Sequence, residues 1–261
     1  MSWMGQVLNY MRMNAIERKD RLELVTSPFF QAFTENYIMA FSHDEVSHGY
    51  SLLATMSGDD WQKRANLRLL YGYTMGHPGK KLFFMGCEFG QKQDWDVDSS
   101  LHWDLLDVEE HSRLHKYMRD LNHLYRSEKA LWQMDTDPAG LFWIHSEDDH
   151  DGVVIFKRQA SDPSNTIIVV CNFSSDVYDD YKVGVPDPGY YSEIFNSDAE
   201  VYGGTGRVQG NEIATEEYGC HNQPYCIQIQ IPPLAAMMFK LQRERKDWKI
   251  HETKKIASLC C

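Results

Sequence analysis

The rhythm of apolar and polar positions changes near residue 128. Before that point apolar residues recur at helical spacing; after it they form short runs broken by turn residues. Trp3, Val7, Leu8, Tyr10 and Met11 fall on one face of a helix over residues 3–13. Ile38 to Phe41 reads as a short buried strand that ends in a polar loop beginning Ser42-His43-Asp44-Glu45. Ser57-Gly58-Asp59-Asp60 supplies capping residues for a helix with Trp61, Ala65, Leu69, Leu70 and Tyr73 inward, stopped near His77-Pro78-Gly79. Lys81 to Met85 is a second short strand, and a long acidic loop follows it. A helix from about Val108 to Ser127 carries Leu114, Tyr117, Met118, Leu121 and Leu124 as its apolar stripe. Strand, loop, helix, strand, loop, helix is the order of parallel α/β units.

Beyond residue 128 the pattern predicts β structure. Strands are expected at 141–145, 153–157, 166–173, 190–195, 225–231 and 235–241, at the spacing of a sandwich. Asp162-Pro163, the Pro186 to Gly189 stretch and Gly203-Gly-Thr-Gly206 supply the turns between them. Tyr225 to Ile231 alternates cleanly, as a half-buried strand should.

Composition narrows the function classes. With 43% hydrophobic residues over 261 positions, the chain can bury a sizeable core. Its net charge of −12 argues against a nucleic-acid partner, which requires a basic footprint. The longest apolar runs are far too short to cross a bilayer, so no membrane partner is expected. The first residues lack a charged stretch followed by an apolar one, which points to a cytoplasmic protein. Gln242 to Cys261 holds six Lys/Arg and three Asp/Glu, a basic tail of net charge +3. The six cysteines show no C-x-x-C pair, and Cys220 with Cys226 makes a poor half of a zinc site. Cys171 reads as a small buried hydrophobe.

The densest polar cluster is Ser42-His43-Asp44-Glu45-Val46-Ser47-His48. A helical zinc motif needs its two histidines four apart, whereas His43 and His48 are five apart, so no metal is assigned there. A polar turn without function is one reading. The other is a carboxylate and an imidazole presented at the C-terminal end of a parallel strand, where α/β barrels build their sites. Such a pair suits sugar hydroxyls: Asp44 accepts hydrogen bonds and His43 donates one. Trp95, inside the acidic loop, is the candidate stacking platform for a sugar ring, with a packed loop aromatic as the alternative. Asp94, Asp96 and Asp98 have the spacing of the start of a calcium loop but lack its downstream Gly and Glu, so no metal or other cofactor is expected. Gly203 to Gly206 is followed by neither a Lys-Ser/Thr pair nor a helix and is a turn, not a phosphate loop.

Several ordered motifs resemble one family. Ser42-His-Asp-Glu-Val46, Gly58-Asp-Asp-Trp-Gln62, the Ala65 to Tyr73 stretch, His77-Pro-Gly-Lys-Lys81 and Phe84-Met-Gly-Cys-Glu-Phe-Gly-Gln91 are similar to bacterial-type 1,4-α-glucan branching enzymes of the α-amylase family, glycoside hydrolase family 13. Leu101 to Leu106, Val169 to Phe173, Gly184 to Pro186, Asn196 to Glu200 and Pro232 to Ala235 extend the match into the β half. The resemblance implies that residues 1–127 are the C-terminal quarter of a (β/α)8 TIM barrel, with its strands 7 and 8. It makes 128–241 an all-β sandwich domain and leaves 242–261 as a tail. It further implies an α-1,4-glucan or glycogen substrate and a retaining mechanism with an Asp nucleophile and a Glu acid/base. His43 and Asp44 match the pair that holds sugar hydroxyls and stabilises the distorted transition state. Glu88 matches a motif near the site and is expected to organise it, not to react.

The family's nucleophile motif, Gly-Phe/Leu-Arg-x-Asp, does not occur in these residues, and the acid/base Glu belongs upstream of them. Arg18-Lys19-Asp20 and Arg119-Asp120 lie in helical, charged contexts. The chain alone is therefore expected to be inactive, as a truncated product or as one piece of a split enzyme. A separate chain carrying the rest of the barrel is then the implied partner. The other expectation is a non-catalytic glucan-binding or scaffolding protein. Two parallel strands without neighbours leave ladder groups unpaired, so a loosely packed first half is expected unless a partner completes it.

Overall fold

The structure is a computed structural model that describes residues 3–34, 36–42, 51–93, 96–146, 151–210 and 212–242. In the first half, helices α1 (Trp3–Arg12) and α2 (Glu23–Gln31) precede strand β1 (Ile38–Phe41). A single helical turn, α3 (Leu52–Thr55), leads to the long helix α4 (Asp60–Gly76), strand β2 (Lys80–Phe83) and helix α5 (Glu109–Ser127). β1 and β2 pair in parallel, Ile38 opposite Lys80 and Phe41 opposite Phe83. Their connection runs through α3 and α4, which is the helical crossover a parallel pair requires.

Local chemistry sets the bounds of α4. Asp59 accepts the Gln62 backbone N–H at 2.8 Å while the Gln62 side chain accepts the Asp59 N–H at 2.9 Å, a reciprocal capping box. The helix ends at His77, followed by Pro78, which cannot continue it. From Ala65 to Gly76 every residue of α4 is buried. Trp61, expected inward, is 37% exposed instead: it stands on the first turn, before the helix reaches the sheet. The second strand closes at Phe83, two residues earlier than its apolar run suggests, and Met85 turns outward at 50% exposure.

The second half is an antiparallel β structure of strands β3 (Leu141–His145), β4 (Val153–Gln159), β5 (Thr166–Asn172), β6 (Tyr178–Val185), β7 (Tyr190–Asn196), β8 (Ile213–Ala214), β9 (Tyr225–Ile231) and β10 (Ala235–Gln242). Six of them form one sheet in the order β3-β4-β5-β10-β7-β8, and β6 pairs with β9. Ile155, Ile168, Val170, Met237 and Phe239 of the larger sheet meet Val183, Val185, Ile227 and Ile229 of the smaller one. The opposite face of the larger sheet, through Phe156, Ile167, Val169, Cys171, Ala236 and Met238, joins the core built by α1, α2, α4 and α5. That double covering explains two different sequence patterns. β5 is buried at every position and its interior, Ile167 to Cys171, is a continuous apolar run, whereas β9 has one solvated face and alternates.

Three buried arginines clip the halves together. Arg18 donates to the carbonyls of Met11, Met13 and Phe173, to Asn66 Oδ1 and to Ser57 Oγ. Arg68 donates to the Ser197 carbonyl at 2.8 Å. Arg158 donates to the carbonyls of Gly76 and Gly140 and to Asp135. The first half is thus closely packed against the sandwich, against the expectation of looseness. Its strand pair nonetheless leaves Ile38 at 61% and Leu82 at 43% exposure.

Candidate functional site

The carboxyl ends of β1 and β2 frame a small cleft that encloses about 30 Å³. Ser42 and Ser51 line it from one side, Tyr71 and Leu52 from the helices, and the stretch Phe84 to Cys87 with Gly90, Gln91 and Gln93 from the other. This is where a parallel α/β arrangement places its chemistry.

The wall after β2 is a tight, glycine-dependent loop. A short 3-10 turn, Cys87–Phe89, is entered at Gly86 (φ +81°) and left at Gly90 (φ +67°), both in the left-handed region. A Cβ on Gly90 would lie 2.7 Å from Leu114 Cδ2. Neighbouring elements then pin the turn. Tyr71 on α4 donates its hydroxyl to the Cys87 carbonyl at 2.6 Å, and a ring nitrogen of His111 on α5 lies 2.7 Å from the Phe89 carbonyl. Burial pushes the Tyr71 hydroxyl well above its ordinary pKa, so it remains a donor. Gln91, itself buried, accepts the His102 N–H at 3.1 Å and donates to the Gln93 carbonyl, which ties the acidic loop back to the cleft. Tyr71, His111 and Gln91 are positioning residues that polar-cluster reasoning passed over, although Gln91 closes the Phe84 to Gln91 motif.

The expected site residues distribute as follows. His43 and Asp44 lie outside the described residues, as does Trp95. Ser42, which precedes His43, and Gln93, two residues before Trp95, both line the cleft. Glu88 is half-buried and does not line it. Glu88 faces a groove of about 300 Å³ against α5, with His115, Met118, Arg119, Asn122, His123 and Arg126. Trp103 packs on Phe89 with ring centroids 5.4 Å apart and keeps 54% of its surface exposed.

Of the aspartates at calcium-like spacing, Asp96 accepts the Asp98 backbone N–H at 3.0 Å, and Asp94 lies outside the described residues. Among the described residues no three His, Cys, Asp or Glu side chains converge as a metal site. No helix among them is long and apolar enough to cross a membrane.

Comparison with known proteins supplies the lineage. Residues 143–242 match the family described as "Alpha amylase, C-terminal all-beta domain". The "1,4-alpha-glucan branching enzyme GlgB" of Halothermothrix orenii is 48% identical over 92% of this chain. The protein of the same name from Bacillus cereus (strain G9842) is 45% identical over 95% of it. Residues 143–242 thus carry the alpha-amylase C-terminal all-beta domain, and the chain as a whole is similar to a C-terminal portion of those relatives. It spans only 38% and 39% of the length of those two relatives.

Solved structures agree at the level of the fold. An alpha-amylase from Geobacillus thermoleovorans, complexed with acarbose, superposes with a TM-score of 0.57 at 13% identity, covering 93% of this chain and 47% of its own. Apo pullulanase from Paenibacillus barengoltzii gives a TM-score of 0.53 at 18% identity, covering 75% of this chain and 28% of that one. The all-β domain over residues 143–242 is therefore assigned by sequence and by fold together.

Proposed function

We propose that this chain is the C-terminal portion of a 1,4-α-glucan branching enzyme and contributes part of its substrate site. In this reading residues 1–127 are the last quarter of a (β/α)8 barrel, β1 and β2 being its seventh and eighth strands. Residues 128–241 are the β domain that braces that quarter, and 242–261 a basic tail.

The observation that carries the reading is the cleft at the carboxyl ends of β1 and β2, lined by Ser42 just before His43 and by Gln93 two residues before Trp95. An α-1,4-glucan bound there would meet Asp44 and His43 at the hydroxyls of the distorted sugar. The Asp44 carboxylate accepts from those hydroxyls and offsets the positive charge that develops on the ring. Trp95 would stack on a neighbouring sugar. Glu88 would act on the loop from the α5 side and not on the glucan. The nucleophile and the acid/base, which a retaining transfer needs about 5 Å apart, come from polypeptide outside these residues, on the same chain or on a separate one.

The test is incubation of the purified 261-residue chain with amylose, alone and together with a polypeptide carrying the preceding barrel strands, followed by iodine staining and debranching. The chain alone leaves the stain unchanged, and the mixture shifts it as α-1,6 branches form. Asp44→Ala abolishes the shift in the mixture. Branching by the chain alone would refute the proposed division of catalytic groups. Glucan retention without branching in any mixture would favour the scaffolding role.

A further inference from the structure

By sequence spacing Cys220 and Cys226 make only a poor half of a zinc site. The fold gives them a different relationship. Cys220 opens a tight turn closed by the Gln223 N–H to the Cys220 carbonyl at 2.9 Å, with His221 (φ +50°) and Asn222 (φ +58°) both left-handed. Two such residues make the turn that favours a two-residue hairpin. Cys226 lies on β9, where it pairs with Gly184 of β6 and exchanges backbone hydrogen bonds of 2.8 and 3.3 Å with Glu216.

Gly184 locates the two cysteines relative to each other. It is the register partner of Cys226, and a Cβ built on it would lie 2.3 Å from the Cys220 carbonyl oxygen. The Cys220 backbone therefore rests on the very strand pair that holds Cys226. Both are free thiols, Cys226 buried and Cys220 half-buried, and Cys226 lies close enough to help raise the Cys220 thiol.

We infer that Cys220 and Cys226 are a modification site: a dithiol that a hydroperoxide converts to a disulfide, stapling the 216–223 segment to β9. Cys220, the more accessible, attacks the peroxide as its thiolate. The O–O bond breaks, Cys220 becomes a sulfenic acid, and water or an alcohol leaves. The Cys226 sulfur then displaces the sulfenic oxygen as a second water, and the S–S bond forms. Two electrons pass from the sulfur pair to the peroxide, and each thiol gives up one proton. Because the backbone at both cysteines is already held by hydrogen bonds, closure orders little that is mobile.

The rate is modest. Burial and the adjacent Cys226 push the Cys220 thiol up to about 12, with Lys182 opposing them, so little thiolate is present at neutral pH. The site suits sustained oxidation, not fast signalling.

The full chain is treated with hydrogen peroxide, free thiols are blocked with N-ethylmaleimide, and the protein is digested with chymotrypsin. Cleavage after Tyr225 puts the two cysteines on separate peptides. The expected product is one pair of peptides joined through Cys220 and Cys226, two hydrogens lighter than their sum and separated by reductant. In Cys226→Ala, oxidation stops at a Cys220 sulfenic acid trapped by dimedone. Recovery of Cys220 unmodified, over-oxidised or joined to any other thiol, with no link to Cys226, overturns the inference. The wild-type peptide map decides the matter even where the variant does not fold.

Discussion

The Arg158 guanidinium donates to the Asp135 carboxylate at 2.9 Å in a place where Arg158 has no exposed side-chain surface and Asp135 has 3%. Arg158 stands on β4 of the sandwich, and its other nitrogens reach the Gly76 carbonyl at the end of α4 and the Gly140 carbonyl. One side chain therefore neutralises a buried acid and locks the two halves together. Arg158→Met removes the positive partner and leaves Asp135 charged and unpaired apart from Lys80 at 3.4 Å. Breaking such a buried pair from one side costs about 3–5 kcal/mol. Asp135→Asn leaves Arg158 with its carbonyl partners and costs less. Urea unfolding followed by tryptophan fluorescence gives both values. An Arg158→Met loss below about 1 kcal/mol would contradict the assigned role.

The loop that walls the cleft depends on Gly90 for two separate reasons. Its φ of +67° is unfavourable for any residue with a Cβ, and that Cβ would meet buried Leu114 at 2.7 Å. Gly90→Ala is expected to cost about 1–3 kcal/mol in unfolding free energy and to weaken retention on an amylose column. Gly210 has no atom within 4 Å of such a Cβ and no left-handed φ, so Gly210→Ala is the matched control and leaves both measurements unchanged.

Some of this architecture was legible in the residues and some was not. The caps at Asp59 and the stop at His77-Pro78 define α4 because capping chemistry is local. The runs 153–156 and 167–171 declare strands because a sheet buried on both faces favours apolar residues at successive positions. β6 escaped notice. Its outer half, Tyr178 to Lys182, is exposed or half-buried and polar, and a partly solvated strand carries little hydrophobic signal. α2 escaped because Pro28 lies inside it and reads as a breaker.

The cleft was legible only through the motifs around it, since its placement follows from the parallel pairing of β1 and β2. The buried arginines were not legible at all. Arg18 sits in a run of charged residues that reads as a solvated helix surface, yet its guanidinium is fully enclosed by carbonyls and by Asn66. Long-range carbonyl acceptors leave no mark on the sequence near the residue they hold.

Two half-buried ionisable groups set a pH profile with opposite limbs. Glu193 on β7, held by Asn196 and the Gln209 N–H with Asp198 nearby, is pushed up by burial to about 7 from an ordinary 4.5. Between those values the folded chain keeps a proton that the unfolded chain has released, so stability falls as pH rises. Lys81 has its ammonium tucked against the His77 and Gly79 carbonyls, with Asp135, Arg158 and Lys80 around it, and burial pushes it down to about 7 from 10.5. Above pH 7 the unfolded chain holds the extra proton, and stability rises. Each limb has a slope of at most about 1.4 kcal/mol per pH unit, and together they place a trough near pH 7. Unfolding curves from pH 5 to 9 test each limb by difference. The stability of wild type minus that of Glu193→Gln should decline from pH 5 to 7 and then stay level. The corresponding difference for Lys81→Met should stay level to pH 7 and then climb. A flat Glu193 difference would mean that this carboxyl ionises in the folded chain as freely as in the unfolded one, and a flat Lys81 difference would say the same of its ammonium.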